Sequence, residues 1–285
     1  MSTTTDYYRI DNNYSEEQIL IRNATRDWVK KYVKPHIEEH FQKAETPSYL
    51  IKELANIGGF GLIIPENYGG VGADYISFGL MMQELEKGDS SIRVISSIQT
   101  SLVMYAIYKF GSEEQRTKYL PMLATGEMLG AFGLTEPDFG SNPSSMHSYY
   151  KEDGDNIVIN GSKMWIGNAE TADIAIIWIK DESGKVRGVI VETKKITNFT
   201  TTTLKDKWSF RSSKTGELVF SDSVISKSQI LAKSTSIQNA YECLNIGRYA
   251  VAWGSIGIAM ECYETALQYS KERIQFGKPI GSNQL

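Results

Sequence analysis

The sequence predicts an α+β protein of several domains, helical at its N-terminus, antiparallel β in the middle and helical again at its C-terminus. Three observations carry that prediction. Apolar residues recur at helical spacing through the first third, as Leu20, Ala24, Trp28 and Tyr32 do. Beyond Met128 apolar and polar residues alternate instead, in segments such as Ile157-Val158-Ile159-Asn160, divided by turn residues. From about Ser236 helical spacing returns in a long stretch rich in small residues. These changes place an N-terminal α-helical domain at residues 1–126, a middle β-domain at 127–235 and a C-terminal helical domain at 236–285.

Ser15 with Gln18 spells a capping box, in which side chains satisfy the free N–H groups of a helix start, and that helix should run to Pro35. Thr46-Pro47 predicts the next start, a cap followed by proline at the first helical position, and Gly58-Gly59 its stop. Pro65 to Gly70 reads as loop, Tyr75 to Lys87 as a helix closed by Gly88, and Ile92 to Phe110 as another. Ser112 with Gln115 is a second capping box, opening a helix that Pro121 limits. Strands are expected at 157–160, 175–179, 189–191 and 218–220, with turns at Asp153-Gly154-Asp155, Asn160-Gly161 and Glu182 to Lys185. Gly254 and Gly257 would weaken an isolated helix, so the last helix is expected to pack closely on its neighbours. The chain stops at Gln284-Leu285 before partners for that helix appear, and the third domain is expected to be incomplete.

A chain of 285 residues can bury a large core. Its formal net charge of -4 argues against a nucleic-acid surface, which needs a basic stripe. No apolar run approaches the length of a membrane span. Met1 to Tyr14 lacks the apolar core of a secretory signal and the Arg-rich pattern of a transit peptide, and reads as the frayed start of a cytoplasmic protein. Cys243 and Cys262 are too few for a disulfide framework and are expected as two buried free thiols.

The chain is organised around Ala131 to Ser141, A-F-G-L-T-E-P-D-F-G-S, and K-M-W-I-G-N from Lys163 to Asn168. A strand that ends in Thr135, a Pro137 turn and Gly140-Ser141 exposes a hydroxyl and several backbone N–H groups at one edge. A tryptophan ending a second strand can lay its flat apolar face against a planar ligand. Together they point to a slot for a flat heterocycle with an anionic tail. A turn after a strand beside a core tryptophan is the plain structural alternative.

F-G-L-T-E-P-D-F-G-S-N followed by K-M-W-I-G-N resembles the flavin-binding signature of the acyl-CoA dehydrogenases. The resemblance is strongest toward glutaryl-CoA dehydrogenases and runs over nearly the whole chain. Asp89 to Arg93, Gly111 to Arg116, Leu244 to Tyr249 and Arg273 to Gly277 support it in family order. It implies FAD as the cofactor, a C-terminal four-helix bundle after the helical and β-domains, an electron-transfer flavoprotein as redox partner, and a homotetramer. By that resemblance Phe132, Leu134 and Thr135 meet the flavin ring, Gly140 and Ser141 lie toward the phosphates, and Trp165 lies along the ring. The family carries Thr or Ser where Gly167 stands; a lost neutral hydrogen bond is worth about 1 kcal/mol, enough to alter redox behaviour without preventing binding. Arg273, Phe276 and Gln284 resemble residues that contact the FAD of a neighbouring subunit. Glu86 and Arg93 match a pair that holds the distal carboxylate of a dicarboxylic acyl-CoA, with Ser97 and Ser141 as further polar liners and Val94 where the family has serine. Asn245 and Arg248 match the segment that meets the pantetheine end of CoA. The family's catalytic base, a glutamate near the C-terminus, has no counterpart before the chain ends, so no catalytic residue is assigned.

The expected function is FAD-dependent α,β-dehydrogenation of an acyl-CoA thioester, with glutaryl-CoA as substrate and decarboxylation left open. Another short-chain acyl-CoA, or a non-catalytic flavin-binding protein with a bare apolar face on the last helix, is the alternative. No metal site is expected: His36-Ile37-Glu38-Glu39-His40 spells a zinc-protease motif without a third ligand and reads as a solvated helix.

Overall fold

The computed structural model describes residues 6–284. Helix α1 (Glu16–Trp28) opens on the expected capping box: the Ser15 hydroxyl accepts from the Gln18 N–H at 3.2 Å and the Gln18 side chain accepts from the Ser15 N–H at 2.9 Å. It runs on as a wider π-type turn over Val29–Val33. Helices α2 (Ile37–Lys43) and α3 (Tyr49–Asn56) follow. α3 starts at Tyr49 rather than at Pro47; Ser48 gives no side-chain cap, and the Pro47 carbonyl accepts from Leu50 instead. Between α4 (Tyr75–Gly88) and α5 (Ser90–Ser97) stands Asp89, whose carboxylate takes the N–H groups of Ser91 and Ile92. α5 continues through a π-type stretch, Ile98–Met104, into α6 (Tyr105–Phe110). α7 (Glu113–Ala124) has the second capping box but keeps Pro121 inside it, because Leu120, Leu123 and Ala124 are buried and their burial outweighs the missing N–H bond.

The β-domain holds β1 (Gly130–Gly133), β2 (Tyr149–Asp153), β3 (Asn156–Gly167), β4 (Ile174–Lys180), β5 (Val186–Glu192), β6 (Phe199–Thr203) and β7 (Thr215–Ser226). They form one sheet in the order β1-β4-β2-β3-β7-β6, with β5 also paired to β4. Pairing is antiparallel except where β1 runs parallel to β4 and where β2 meets the end of β4. Asn160-Gly161 is not a turn. Gly161 sits within β3 at φ 136, at a register shift, where an added Cβ would stand 2.5 Å from the Ser148 Cβ. Glycine is needed there so that β3 can pass beside Ser148.

Alternation along β4 joins two cores. Ile174, Ile176 and Trp178 pack with the helices, while Ala175, Ile177 and Ile179 pack with Ile157, Ile159 and Leu218 on the other side. Phe132 of β1 and Phe110 of α6 both meet the Trp178 ring, which ties the sheet to the helical layer.

Helix α8 (Ile237–Glu272) crosses the helical layer and ends in a hairpin, β8 (Ile274–Gln275) and β9 (Lys278–Pro279). Its glycines allow close approach: a Cβ on Gly254 would stand 2.9 Å from the Glu86 carboxylate, and one on Gly257 would stand 2.9 Å from the Gln83 carbonyl carbon. Two sequence expectations are corrected here. Cys243 is buried but Cys262 is exposed, because it lies beyond Gly257, the last position at which α8 is buried against its neighbours. The start of the chain is not frayed from residue 6 onward: the Tyr7 and Tyr263 hydroxyls hydrogen-bond at 2.6 Å, and Asp11 pairs with Arg22 at 2.5 Å. The rest of that expectation, residues 1–5, and the chain end at Leu285 lie outside the described residues.

Candidate functional site

A cavity of about 520 Å³ lies where β1 and its following loop, the end of β3 and the first turns of α8 meet. Phe132, Leu134, Thr135, Gly140, Ser141, Trp165, Asn245 and Arg248 line it, so eight of the expected site residues come together in one place. Sequence reading assigned no site role to Tyr241, Leu244, Met164, Pro143 and Ile166, which complete the walls. Tyr241 and Leu244 share a face of α8 with Asn245 and Arg248, and that periodicity could have found them.

The loop after β1 is built to present groups to this space. The Thr135 carbonyl accepts from the Met164 N–H at 2.8 Å, and Glu136 and Phe139 exchange backbone hydrogen bonds at 3.3 and 3.2 Å. Trp165 does not end its strand. It stands at φ 63, in a bulge where the pairing of β3 with β7 slips between Lys163 and Ile166, and the residue is 63% exposed. The bulge turns the indole out of the strand's alternation and toward the cavity.

Beneath the loop lies a buried ion pair that sequence reading passed over. Lys163 is fully buried, and its ammonium donates to the Glu136 carboxylate at 2.8 Å and to the Leu134 carbonyl at 3.2 Å. Glu136 also accepts from the N–H groups of His147 and Ser148 at 2.6 and 3.0 Å. Burial pushes the Glu136 carboxyl toward its neutral form, but the Lys163 charge and these donors outweigh it and hold its pKa below the ordinary value. Burial draws the Lys163 pKa down to about 8, against the pull of Glu136. A lysine in the middle of an otherwise alternating strand was the available signal.

The remaining expected residues fall elsewhere. Gly167 sits behind the cavity, where the Ile98 side chain fills the space a Cβ would need, so this position offers its backbone alone. Glu86 and Arg93 are both buried and joined by an ion pair; the Ser90 hydroxyl adds a bond to Glu86 at 2.6 Å, and Phe210 lies over the guanidinium at 5.9 Å. The Ser97 hydroxyl is spent on the Val94 carbonyl at 3.1 Å. Arg273, Phe276 and Gln284 lie past the far end of α8, about 37 Å along the helix from Arg248 at 1.5 Å per residue, and do not reach this chain's own cavity. Phe276 is fully exposed and holds φ 52 in the hairpin turn with Gly277.

A larger cavity of about 1400 Å³ opens between α1, α4 and α8. Six of its charged wall residues are paired with one another, Arg22 with Asp11, Arg26 with Glu84 and Lys87 with Glu264, and although Tyr14 and Trp253 line it, the loop after β1 does not. Among the described residues no cluster of His, Cys, Asp or Glu could hold a metal ion, and no helix is long and apolar enough to cross a membrane.

The fold and this cavity define a three-part α+β protein with a slot between sheet and helix lined by hydroxyls, an arginine and an exposed indole. Comparison with known proteins gives the family. The acyl-CoA dehydrogenase N-terminal, middle and C-terminal domain models match residues 15–127, 131–223 and 237–285. An acyl-CoA dehydrogenase of Bacillus subtilis is 36% identical over 95% of this chain and 72% of its own length. A glutaryl-CoA dehydrogenase of Desulfococcus multivorans is 34% identical over 97% of this chain and 73% of its own. The crystal structure of a glutaryl-CoA dehydrogenase from Mycobacterium smegmatis in complex with FADH2 superposes with TM-score 0.94 at 38% identity, covering 97% of this chain and 71% of that one. The chain belongs to the acyl-CoA dehydrogenase family, whose C-terminal domain it matches in part.

Proposed function

We propose that this chain binds FAD in the cavity between the β1 loop, Trp165 and α8, and serves the α,β-dehydrogenation of an acyl-CoA, glutaryl-CoA in particular. The observation that carries the reading is the convergence of the Thr135 hydroxyl, the loop bearing Gly140 and Ser141, and the exposed Trp165 face on one space. The fit is chemical. Hydroxyl and backbone donors suit the polar edge of an isoalloxazine, the indole suits its apolar face, and the volume lies within the range of about 300–1,000 Å³ usual for small-molecule sites. Bound there, the flavin would supply a hydride acceptor. Thr135 would hold the ring edge, Trp165 would cover one face, and Gly167, lacking a side chain, would leave that position to a backbone group. Asn245 and Arg248, on the α8 wall, would meet the CoA chain.

Glu86 and Arg93 support a dicarboxylic acyl group, since a buried guanidinium can pair a distal carboxylate as well as its own partner. No carboxylate or imidazole lines the cavity among the described residues, and we propose that residues 6–284 do not supply the proton acceptor for the α-carbon. An electron-transfer flavoprotein as reoxidant and a homotetramer complete the reading; Arg273, Phe276 and Gln284 lie where another subunit could receive them.

A second reading, a flavin-binding protein without turnover, is favoured by the apolar residues that α8 exposes, among them Val251 at 48%, Ile256 at 55% and Tyr269 at 56%. One experiment separates the two. FAD is added anaerobically to the purified chain and its spectrum followed before and after glutaryl-CoA or butyryl-CoA. Bleaching with either substrate overturns the missing proton acceptor; with glutaryl-CoA alone it supports the glutaryl reading, and equal bleaching with both assigns Arg93 a structural role only. A bound flavin that stays oxidised supports the second reading, and no bound flavin defeats both.

A further inference from the structure

Lys163 is fully buried, and a buried lysine is rare unless it is paired and used. Its stem crosses β1 at Gly133, where an added Cβ would stand 3.1 Å from the Lys163 Cγ. The ammonium then reaches the loop that walls the cavity, on both sides of Thr135: it donates to the Leu134 carbonyl at 3.2 Å and to the Glu136 carboxylate at 2.8 Å. Glu136 passes the restraint to the start of β2 through the N–H groups of His147 and Ser148. Lys163 itself is absent from the cavity walls. Glu136 from the β1 loop and Lys180 from β4 are the charged groups that act on it, and the Met146 sulfur approaches at 3.9 Å.

We propose that Lys163 is a positioning residue for the flavin, holding Thr135 and the flanking backbone in place through Leu134 and Glu136. The proposal deepens the flavin reading above and rests on it. Loss of the ammonium charge frees the Glu136 carboxylate from its partner, and the loop loses the clamp around Thr135.

The test is FAD titration of the whole chain between pH 7 and 9, with thermal melting of each variant. Wild-type affinity should fall as pH rises through about 8, where Lys163 loses its proton. Lys163→Met should bind FAD at least tenfold more weakly at pH 7, with a flat profile over that range. Lys163→Met with Glu136→Met removes the stranded carboxylate; its melting temperature should recover while its FAD affinity stays at least tenfold down. A double variant that recovers both overturns the role of Lys163 and leaves the flavin reading standing. A wild-type chain that takes no FAD at pH 7 overturns that reading and this role with it.

Discussion

Two glycines ten residues apart on α8 should respond oppositely to the same substitution. Gly257 faces α4, and a Cβ there would stand 2.9 Å from the Gln83 carbonyl carbon and 3.1 Å from its Cα. Carbon atoms pack at about 3.5–4.0 Å, so the helices must part by about 0.6 Å or more, and the obstacle is backbone that no rotamer change can clear. Overpacking costs about 1–3 kcal/mol, here about 2–3 because the obstacle is backbone, and the better helix propensity of alanine returns about 1. Gly257→Ala should therefore lose about 1–2 kcal/mol. Gly247 meets only the ends of side chains, the Leu102 Cδ2 at 3.3 Å and the Ser101 Oγ at 3.7 Å, which can give way. Gly247→Ala should be neutral or gain up to about 1 kcal/mol. Urea unfolding of the two variants beside the wild type measures the difference; with a slope of about 2 kcal/mol/M their midpoints should stand roughly 0.5–1.5 M apart. Equal midpoints would refute the claim that glycine at 257 serves the close approach of α8 to α4.

Arg93→Met should cost about 3–5 kcal/mol, because it strands the buried Glu86 carboxylate with the Ser90 hydroxyl; adding Glu86→Gln should recover most of it, and a single variant as stable as wild type in urea would sink the argument. Glu192 resists protonation: burial works against its charge, but hydrogen bonds from Lys118, Lys195 and Tyr119 prevail and hold its pKa at about 2, below the ordinary 4.5. A depressed carboxylate stabilises the fold fully above its unfolded pKa and ceases to as pH falls through the folded one, so the advantage of wild type over Glu192→Gln should shrink between pH 4.5 and 2. An advantage that stays constant over that window would contradict the assignment.

Local chemistry was legible wherever it is completed within a few residues. Both capping boxes formed as spelled, and the change of period near Met128 marks the change from helices to sheet. Reading failed where a distant neighbour decides. Asn160-Gly161 looks like a turn, but Ser148 across the sheet uses the glycine for close passage. Pro121 looks like a stop, but its helix is held by burial on the core side. Lys163 looked like part of a flavin signature and nothing more, since its partner Glu136 is 27 residues away and only the pairing of strands brings them together.

The same distinction separates the two halves of the site. The half proposed to hold flavin is lined by the loop after β1, the end of β3 and the first turns of α8, all of which carry the quoted motifs. The acyl half depends on how closely α8 lies on α4. Gly254 brings the helix backbone over Glu86 and Arg93, where a Cβ would stand 2.9 Å from the carboxylate and 3.2 Å from the Arg93 Nε. A side chain at 254 would press directly on the pair that the dicarboxylic reading requires. The small-residue composition of α8, first read as weakness in a helix, is thus what lets a charged pair be sealed beneath it, and on the dicarboxylic reading proposed above substrate choice and helix packing would rest on the same contact.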